Sequence, residues 1–360
     1  MFSVRFAGNP AIELTCACGY AATQQARMSA SGLMPFPQED TMFPPTQATP
    51  AERYGQLIRD ALGAQAMRVA VVHPCSAEAL QGALEAREEG LLEPLLVGPE
   101  ARIRRVAEEA GLSLAGLQIE STEHSHAAAA RAVELAVQGR VAALMKGSLH
   151  SDELLGAVVA SGSGLRTERR ISHVYAMAIP TYAKPLIITD AAINIAPTLA
   201  HKRDICQNAI DLLHVMGVPR PHVAVLAAVE TVNPAMPSTL DAAALTVMAT
   251  RHQITGALVD GPLAFDNAIS LQSASIKQIA SPVAGSADIL LVPDLEAGNM
   301  LAKQLIYLSQ AEAAGLVLGA RVPVILTSRA DSLRVRLASS ALARLFASRS
   351  KVQAVGKEAA

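Results

Sequence analysis

The residues with most chemistry to offer stand near the end of the chain, where the apolar run Val322-Pro323-Val324-Ile325-Leu326 passes directly into Thr327-Ser328-Arg329-Ala330-Asp331. Loops at the carboxyl ends of strands in open α/β sheets are where ligands bind. A hydroxyl, a guanidinium and a carboxylate gathered there suit a reaction with an anionic substrate. Earlier, Val141–Met145 leads into Lys146-Gly147-Ser148-Leu149-His150 and then Ser151-Asp152-Glu153, with Ser151 reading as the N-cap of a helix. A glycine-bearing turn into a helix N-terminus can present backbone N–H groups to a phosphate, helped by Lys146. The same string also reads as a plain strand-to-helix turn, and His150 as a packed or solvent-facing histidine.

Further strand ends repeat the theme. Leu186–Thr189 is followed by Asp190-Ala191-Ala192-Ile193-Asn194-Ile195-Ala196-Pro197, in which Asp190 and Asn194 either hold a ligand or tie the loop to itself. Asp260-Gly261-Pro262-Leu263-Ala264-Phe265-Asp266-Asn267-Ala268 and Pro293-Asp294-Leu295-Glu296-Ala297-Gly298-Asn299 place Asp260, Asp266, Asp294 and Asn299 just after hydrophobic strands. Three such loops besides the Ser-Arg turn exceed what turn chemistry alone accounts for.

The elements that must position these loops form a regular alternation from Ala51 onward. Helix is expected over 51–64, 124–139, 202–216, 239–251, 299–313 and 332–348. Strands are expected at Met67–His73, Leu92–Val97, Val141–Met145, Val174–Ala178, Leu186–Thr189, Val223–Ala227, Ala257–Val259, Ile289–Val292 and Val322–Leu326. Short apolar strands without internal alternation mark a parallel sheet with helices on both faces, so the class is α/β. At 360 residues the chain favours two domains. Residues 1–50 have no sustained period and read as a flexible lead-in, with Met28, Met34 and Met42 as candidate initiators.

Composition narrows the partner. A formal charge of −2 with 51% apolar residues leaves no electrostatic footprint for nucleic acid or for a membrane surface. No apolar run approaches the roughly 20 residues of a membrane span, so a soluble protein acting on a small molecule is expected. Cys16, Cys18, Cys75 and Cys206 are too scattered for a disulfide framework, and the Cys16-Ala17-Cys18 pair lacks a second pair for zinc. Reduced thiols and no basic-then-apolar leader point to the cytoplasm.

Taken together, Asp190–Pro197, Asp260–Ala268, Ser286–Asn299 and Leu326–Asp331 resemble, in order and spacing, the phosphate acetyl/butyryltransferase family. The likeness covers roughly 51–350. Lys146–His150 and Gly164–His173 are similar to the branch found alone or fused behind a hydratase-like domain, which this chain does not carry. The resemblance implies a two-domain fold related to the isocitrate/isopropylmalate dehydrogenase scaffold with its active site in the interdomain cleft. One domain would combine about 51–165 with 316–360, and the other would be 166–315. It implies reversible transfer of an acetyl group between acetyl-CoA and inorganic phosphate, a homodimer, and no metal or redox cofactor.

Within that resemblance Ser328 and Arg329 match the family's Ser-Arg pair, implied to bind phosphate and steady developing negative charge. Asp331 is the candidate base for the coenzyme A thiol, whose pKa is about 8.5. The acetyl-specific pattern places its acid several residues further on. That pattern also carries an arginine where Leu154-Leu155-Gly156-Ala157 has none; Arg166 either supplies this charge or is a surface arginine. Phosphate butyryltransferase activity and a non-catalytic acetyl-CoA-sensing module are the other readings. A hydride-transferring dehydrogenase is weaker, since no Gly-x-Gly-x-x-Gly turn follows a strand and no Asp-x-x-x-Asp metal motif is present.

Overall fold

Strand and helix alternate because short β-branched and leucine-rich runs are separated by capped, alanine-rich helices. The computed structural model describes residues 49–64, 66–327 and 331–358; the lead-in, Ser328 and Arg329 lie outside the described residues. The first part contains α1 (Pro50–Leu62), β1 (Met67–Val72), α2 (Ala77–Glu88), β2 (Leu92–Gly98), α3 (Glu100–Glu109), β3 (Gln118–Ser121), α4 (Ser125–Val137), β4 (Ala143–Lys146) and α5 (Ser151–Val159). The middle adds β5 (Ser172–Ala178), β6 (Leu186–Thr189), α6 (Leu199–Val215), β7 (His222–Leu226), α7 (Pro237–Thr250), β8 (Leu258–Leu263), α8 (Phe265–Ile269), α9 (Leu271–Ile276) and β9 (Ile289–Leu291). The chain closes with α10 (Leu295–Leu308), β10 (Glu312–Leu318), β11 (Val324–Ile325) and α11 (Leu333–Glu358).

The described strands form one sheet in the order β3-β2-β1-β4-β11-β10-β5-β6-β9-β7-β8. Strands β3, β2, β1, β4 and β11 are mutually parallel, and so are β6, β9, β7 and β8. Between the two sets, β10 is antiparallel to both β11 and β5, and β5 is antiparallel to β6. The two parallel sets therefore point in opposite directions. Loops after β1, β4 and β11 gather at one edge of the sheet, and loops after β6, β7, β8 and β9 at the other.

Side chains alternate across this sheet and divide its core. One face carries Val69, Val71, Ile187, Leu316 and Ile325, packed under α1, α2, α6 and α11 in a single continuous cluster. On the opposite face Val72, Leu144 and Val324 pack against α4 and α5, whereas Met177, Ile188 and Leu290 pack separately against α8, α9 and α10. Ile205, Ile210, Leu212, Leu213 and Val215 of α6 are all buried within the chain itself.

Several expected boundaries move. The helix expected over 299–313 ends at Leu308, and Glu312-Ala313-Ala314-Gly315-Leu316-Val317-Leu318 is the central strand β10. Its alanine and leucine content favours helix locally, but pairing with β11 and β5 on both sides outweighs propensity. Asp260 lies inside β8, opposite Ala224 of β7, rather than in a loop. His150, not Ser151, is the N-cap of α5. β11 keeps only two residues, since Pro323 has no N–H to donate to a ladder.

One buried cation ties the ends of two helices to α11. Arg344, 4% exposed, donates to the carbonyls of Gly90 (2.5 Å) and Leu91 (3.3 Å) beyond α2, and of Leu62 (3.4 Å) and Ala64 at the end of α1. Carbonyls left over at helix C-termini need such donors. Arg344→Ala strands several of them and is expected to remove about 3 kcal/mol of stability, read as a lower urea midpoint at unchanged slope.

Candidate active site

At the first edge, the exits of β1 and β4 are stitched together by Ser148. Its hydroxyl donates to the His73 carbonyl (2.8 Å) and accepts from the Cys75 N–H (2.9 Å), while its own N–H reaches the same His73 carbonyl (2.9 Å). Gly147 N–H bonds the Val72 carbonyl at 2.9 Å. The approach is so close that a Cβ on Gly147 would stand 2.4 Å from the Val72 oxygen and 2.7 Å from the His73 oxygen. Only glycine fits there. Beside these loops lies an open hollow lined by Ser76, Lys146, Gly147, Ser148, Thr327 and Arg336, among others.

Ser328 and Arg329 fall outside the described residues, but their flanks do not. Thr327 lines the hollow, and the Asp331 carbonyl accepts from Arg336 Nη2 at 3.0 Å. Arg336 Nη1 also donates to the Glu78 carbonyl at 3.1 Å, so this α11 arginine ties the exit of the loop to α2. Arg336 is a positioning residue that the sequence reading did not single out. Its place in the first turn of a helix directly after the loop was the available signal. Lys146 ends β4 half-buried, and His150 is exposed beyond it.

At the opposite edge, the loop after β6 is closed upon itself. The buried Asp190 carboxylate accepts from the backbone N–H groups of Ala192 (3.0 Å), Ile193 (3.1 Å) and Asn194 (3.2 Å), and from Asn194 Nδ2 (2.5 Å). Burial pushes its carboxyl above the ordinary range, and those donors pull the other way. Asn194 also donates to the Ile171 carbonyl (2.9 Å) and accepts from Arg170 Nε (2.7 Å). Asn299 Nδ2 reaches the Ala191 carbonyl at 3.0 Å, and Asp294 caps α10 through the Ala297 N–H at 2.9 Å. These four residues hold the loop and its helix in place.

That loop borders a cleft of about 760 Å³ running along α5, lined by Asp152, Leu155, Arg166, Arg170, Ile193 and His201, among others. Arg169 is paired with Asp211, and Arg170 with Asn194. Among the described residues the exposed Arg166 guanidinium has no ion-pair partner. The cleft therefore offers an open cation.

Asp260 and Asp266 are set apart from the first edge. β8 is six strands from β11, roughly 29 Å at about 4.8 Å per strand. Asp266 is half-buried and pairs with Lys277 at 3.2 Å, which also binds Glu230 at 2.8 Å. Among the described residues no group of three or more His, Cys, Asp or Glu side chains is placed to hold a metal ion.

Fold and site define a mostly parallel α/β protein in which Thr327, just past β11, shares a hollow with a glycine-tight, lysine-bearing turn. A family described as "Phosphate acetyl/butaryl transferase" matches residues 122–343. The chain is 58% identical over 303 residues to the phosphate acetyltransferase of Rhizobium meliloti, covering 84% of this chain and 96% of that one. It is 55% identical over 320 residues to the phosphate acetyltransferase of Rickettsia prowazekii, covering 87% and 91%. A solved branched-chain phosphotransacylase from Enterococcus faecalis superposes with a TM-score of 0.69 at 31% identity, over 78% of this chain and 99% of its own. The chain belongs to the phosphate acetyl/butyryltransferase family.

The junction of β1 and β4 has no room to yield. Gly147→Ala is expected to cost about 2 kcal/mol, because the neighbours it meets are backbone atoms, and to cut acyl-transfer turnover at least tenfold. Urea unfolding and a thioester assay measure the two effects.

Proposed function

We propose that this chain is a phosphate acetyltransferase, moving an acetyl group reversibly between acetyl-CoA and inorganic phosphate. The observation that carries the reading is the 58% identity to a phosphate acetyltransferase over 96% of that enzyme's length. The run Thr327–Asp331 supports it, since in sequence a hydroxyl, an arginine and a carboxylate follow directly on β11.

A phosphate oxygen attacks the thioester carbon, the carbonyl electrons move onto oxygen, and collapse of the tetrahedral centre breaks the C–S bond and releases coenzyme A. Both reactants are anionic, so cationic and neutral donors must dominate. Arg329 is assigned to phosphate and to the developing charge, with Ser328 beside it; a planar fork of N–H donors matches phosphate oxygens. In the reverse direction Asp331 takes the thiol proton. Lys146 and the Gly147–Ser148 turn border this centre, and Arg166 faces the anionic tail of coenzyme A across the cleft along α5. No metal or redox cofactor enters the reaction.

The opposed strand directions and the two separate core clusters on one face support two lobes, about 51–165 with 316–360 and 166–315, on an isocitrate/isopropylmalate dehydrogenase-like scaffold with the cleft between them. We also propose a cytoplasmic homodimer. Since α6 buries its apolar face internally, the candidate surface is α10, where Met300, Tyr307 and Leu308 are 65%, 70% and 76% exposed. Among the described residues no helix is long and apolar enough to cross a membrane. Light scattering that finds a monomer at micromolar concentration removes the dimer.

The test is formation of acyl-CoA from coenzyme A and acetyl phosphate, or butyryl phosphate, without added metal, followed as thioester absorbance. Faster turnover of the acetyl compound is expected. A butyryl preference reassigns the acyl group, and acetyl-CoA binding without turnover marks a sensing module. Arg329→Ala is expected to lower turnover at least about a hundredfold. Asp331→Asn should slow the coenzyme A-consuming direction most at neutral pH, where the free thiol is mostly protonated; rates unaffected in both directions would make Asp331 structural.

A further inference from the structure

On the face of the sheet where the two smaller core clusters meet, strand register lines up a row that belongs to the reaction edge. Tyr175 of β5 is opposite Gly315 of β10. Leu316 is opposite Ile325, and Ile325 opposite Met145, so the same register carried one residue further sets Leu326 beside Gly315 and Lys146 beside Leu326. Lys146, Leu326, Gly315 and Tyr175 thus form one rung across β4, β11, β10 and β5. The next residues along the chain from Leu326 are the Thr327–Asp331 loop itself.

Tyr175 is fixed in that rung. Its ring meets the His173 ring edge-to-face, with centroids 4.4 Å apart and planes at 72°. His173 is fully buried, and its Nδ1 has no hydrogen-bond partner among the described residues. Burial pushes its value down to about 3, so the imidazole stays neutral and puts no competing charge beside Tyr175. The space over Gly315 is shared by His173 Nε2 and the Leu326 carbonyl, each 3.0 Å from where a Cβ would stand. Tyr175 itself is only partly buried, and among the described residues nothing hydrogen-bonds its hydroxyl. The Asp331 carboxylate acts on it electrostatically, as does Tyr307 of α10.

We infer that the Tyr175 hydroxyl is a further catalytic donor of this site, hydrogen-bonding the carbonyl oxygen of the acyl group as that oxygen gains charge in the tetrahedral step. This rests on the acyltransferase reading above. The phosphate oxygen forms its bond to carbon and the carbonyl π pair moves to oxygen; Tyr175 donates to that oxygen and keeps its proton. Collapse returns the pair and expels the thiolate. Burial first, then the charge of Asp331, push the phenol up to about 12, so it remains a neutral donor at every working pH. A neutral donor fits here because it steadies charge on the acyl oxygen without holding the phosphate dianion as a second cation would.

Tyr175→Phe keeps the ring and its stack on His173 while removing only the O–H. Turnover is expected to fall about tenfold to a hundredfold, with KM for phosphate and coenzyme A changed less than about threefold and the melting temperature unchanged. The parent-to-variant ratio of turnover should be constant between pH 6 and 9, because Tyr175 does not titrate there and Asp331, Tyr307 and His173, the titratable groups around it, are the same in both proteins. A second reading needs no turnover: bound acetyl-CoA labelled with carbon-13 at the carbonyl should show a lowered C=O stretch in the parent that returns toward the free value in Tyr175→Phe. Turnover within twofold of the parent, or the same carbonyl stretch in both proteins, overturns the assignment. Parent turnover, measured separately, decides the acyltransferase reading, and the infrared result decides whether Tyr175 meets the acyl carbonyl whichever way that falls.

Discussion

The direction of one strand decides which loops can work together. β10 runs against both of its neighbours, and β5 in turn runs against β6. Were the sheet parallel throughout, every strand-end loop would open on one edge, as in a simple doubly wound fold. Here the exits of β1, β4 and β11 open on one edge and those of β6, β7, β8 and β9 on the other. A ligand that uses both sets must lie across a face of the sheet, along the seam where β10 and β5 are flanked by α5 on one side and α10 on the other. The open cleft along α5 and the Tyr175 row both belong to that seam.

Hydrogen-bond accounting then separates polar groups spent on the fold from those left for chemistry. A buried carboxylate is tolerated only when its desolvation is offset by donors, and Asp190 has four of them within its own loop. Asp294 and Asn299 are likewise occupied by α10 and by the Ala191 carbonyl. Arg344 is consumed by helix ends. Arg166 and the Tyr175 hydroxyl differ in kind, because no group among the described residues claims them. The polar inventory therefore points the same way as strand direction, toward the seam and the first edge.

The sequence made the α/β class and most strands legible, since Val69–Val72, Leu186–Thr189 and Ile289–Leu291 are buried on both faces and read as continuous apolar runs. It also exposed the string of strand-end acids. What it could not convey was β10: Glu312-Ala313-Ala314 looks helical until two neighbouring strands claim its backbone. Missing that strand hid the reversal, and with it the reason Asp260 and Asp266 stand on the far side of the sheet from Thr327 and Asp331. Tyr175 was invisible for a related cause. Its meaning comes from the residues beside it in the rung, Gly315 and Leu326, which lie more than a hundred positions away along the chain.

Charge sets the last constraint on the site. Two unit charges 4 Å apart interact by about 4 kcal/mol at an effective dielectric near 20, so the role proposed for Asp331 near a phosphate dianion requires a cation between them. Arg329, two residues before it, is in sequence reach of that role, and a fork of five N–H donors can meet phosphate and carboxylate together. Adding cations without limit would hold the phosphate more tightly in the ground state than in the transition state, which lowers KM without raising turnover. A neutral phenol kept protonated by its own burial and by Asp331 escapes that cost. Its hydrogen bond strengthens most as charge builds on the acyl oxygen, which is the moment when binding accelerates the reaction.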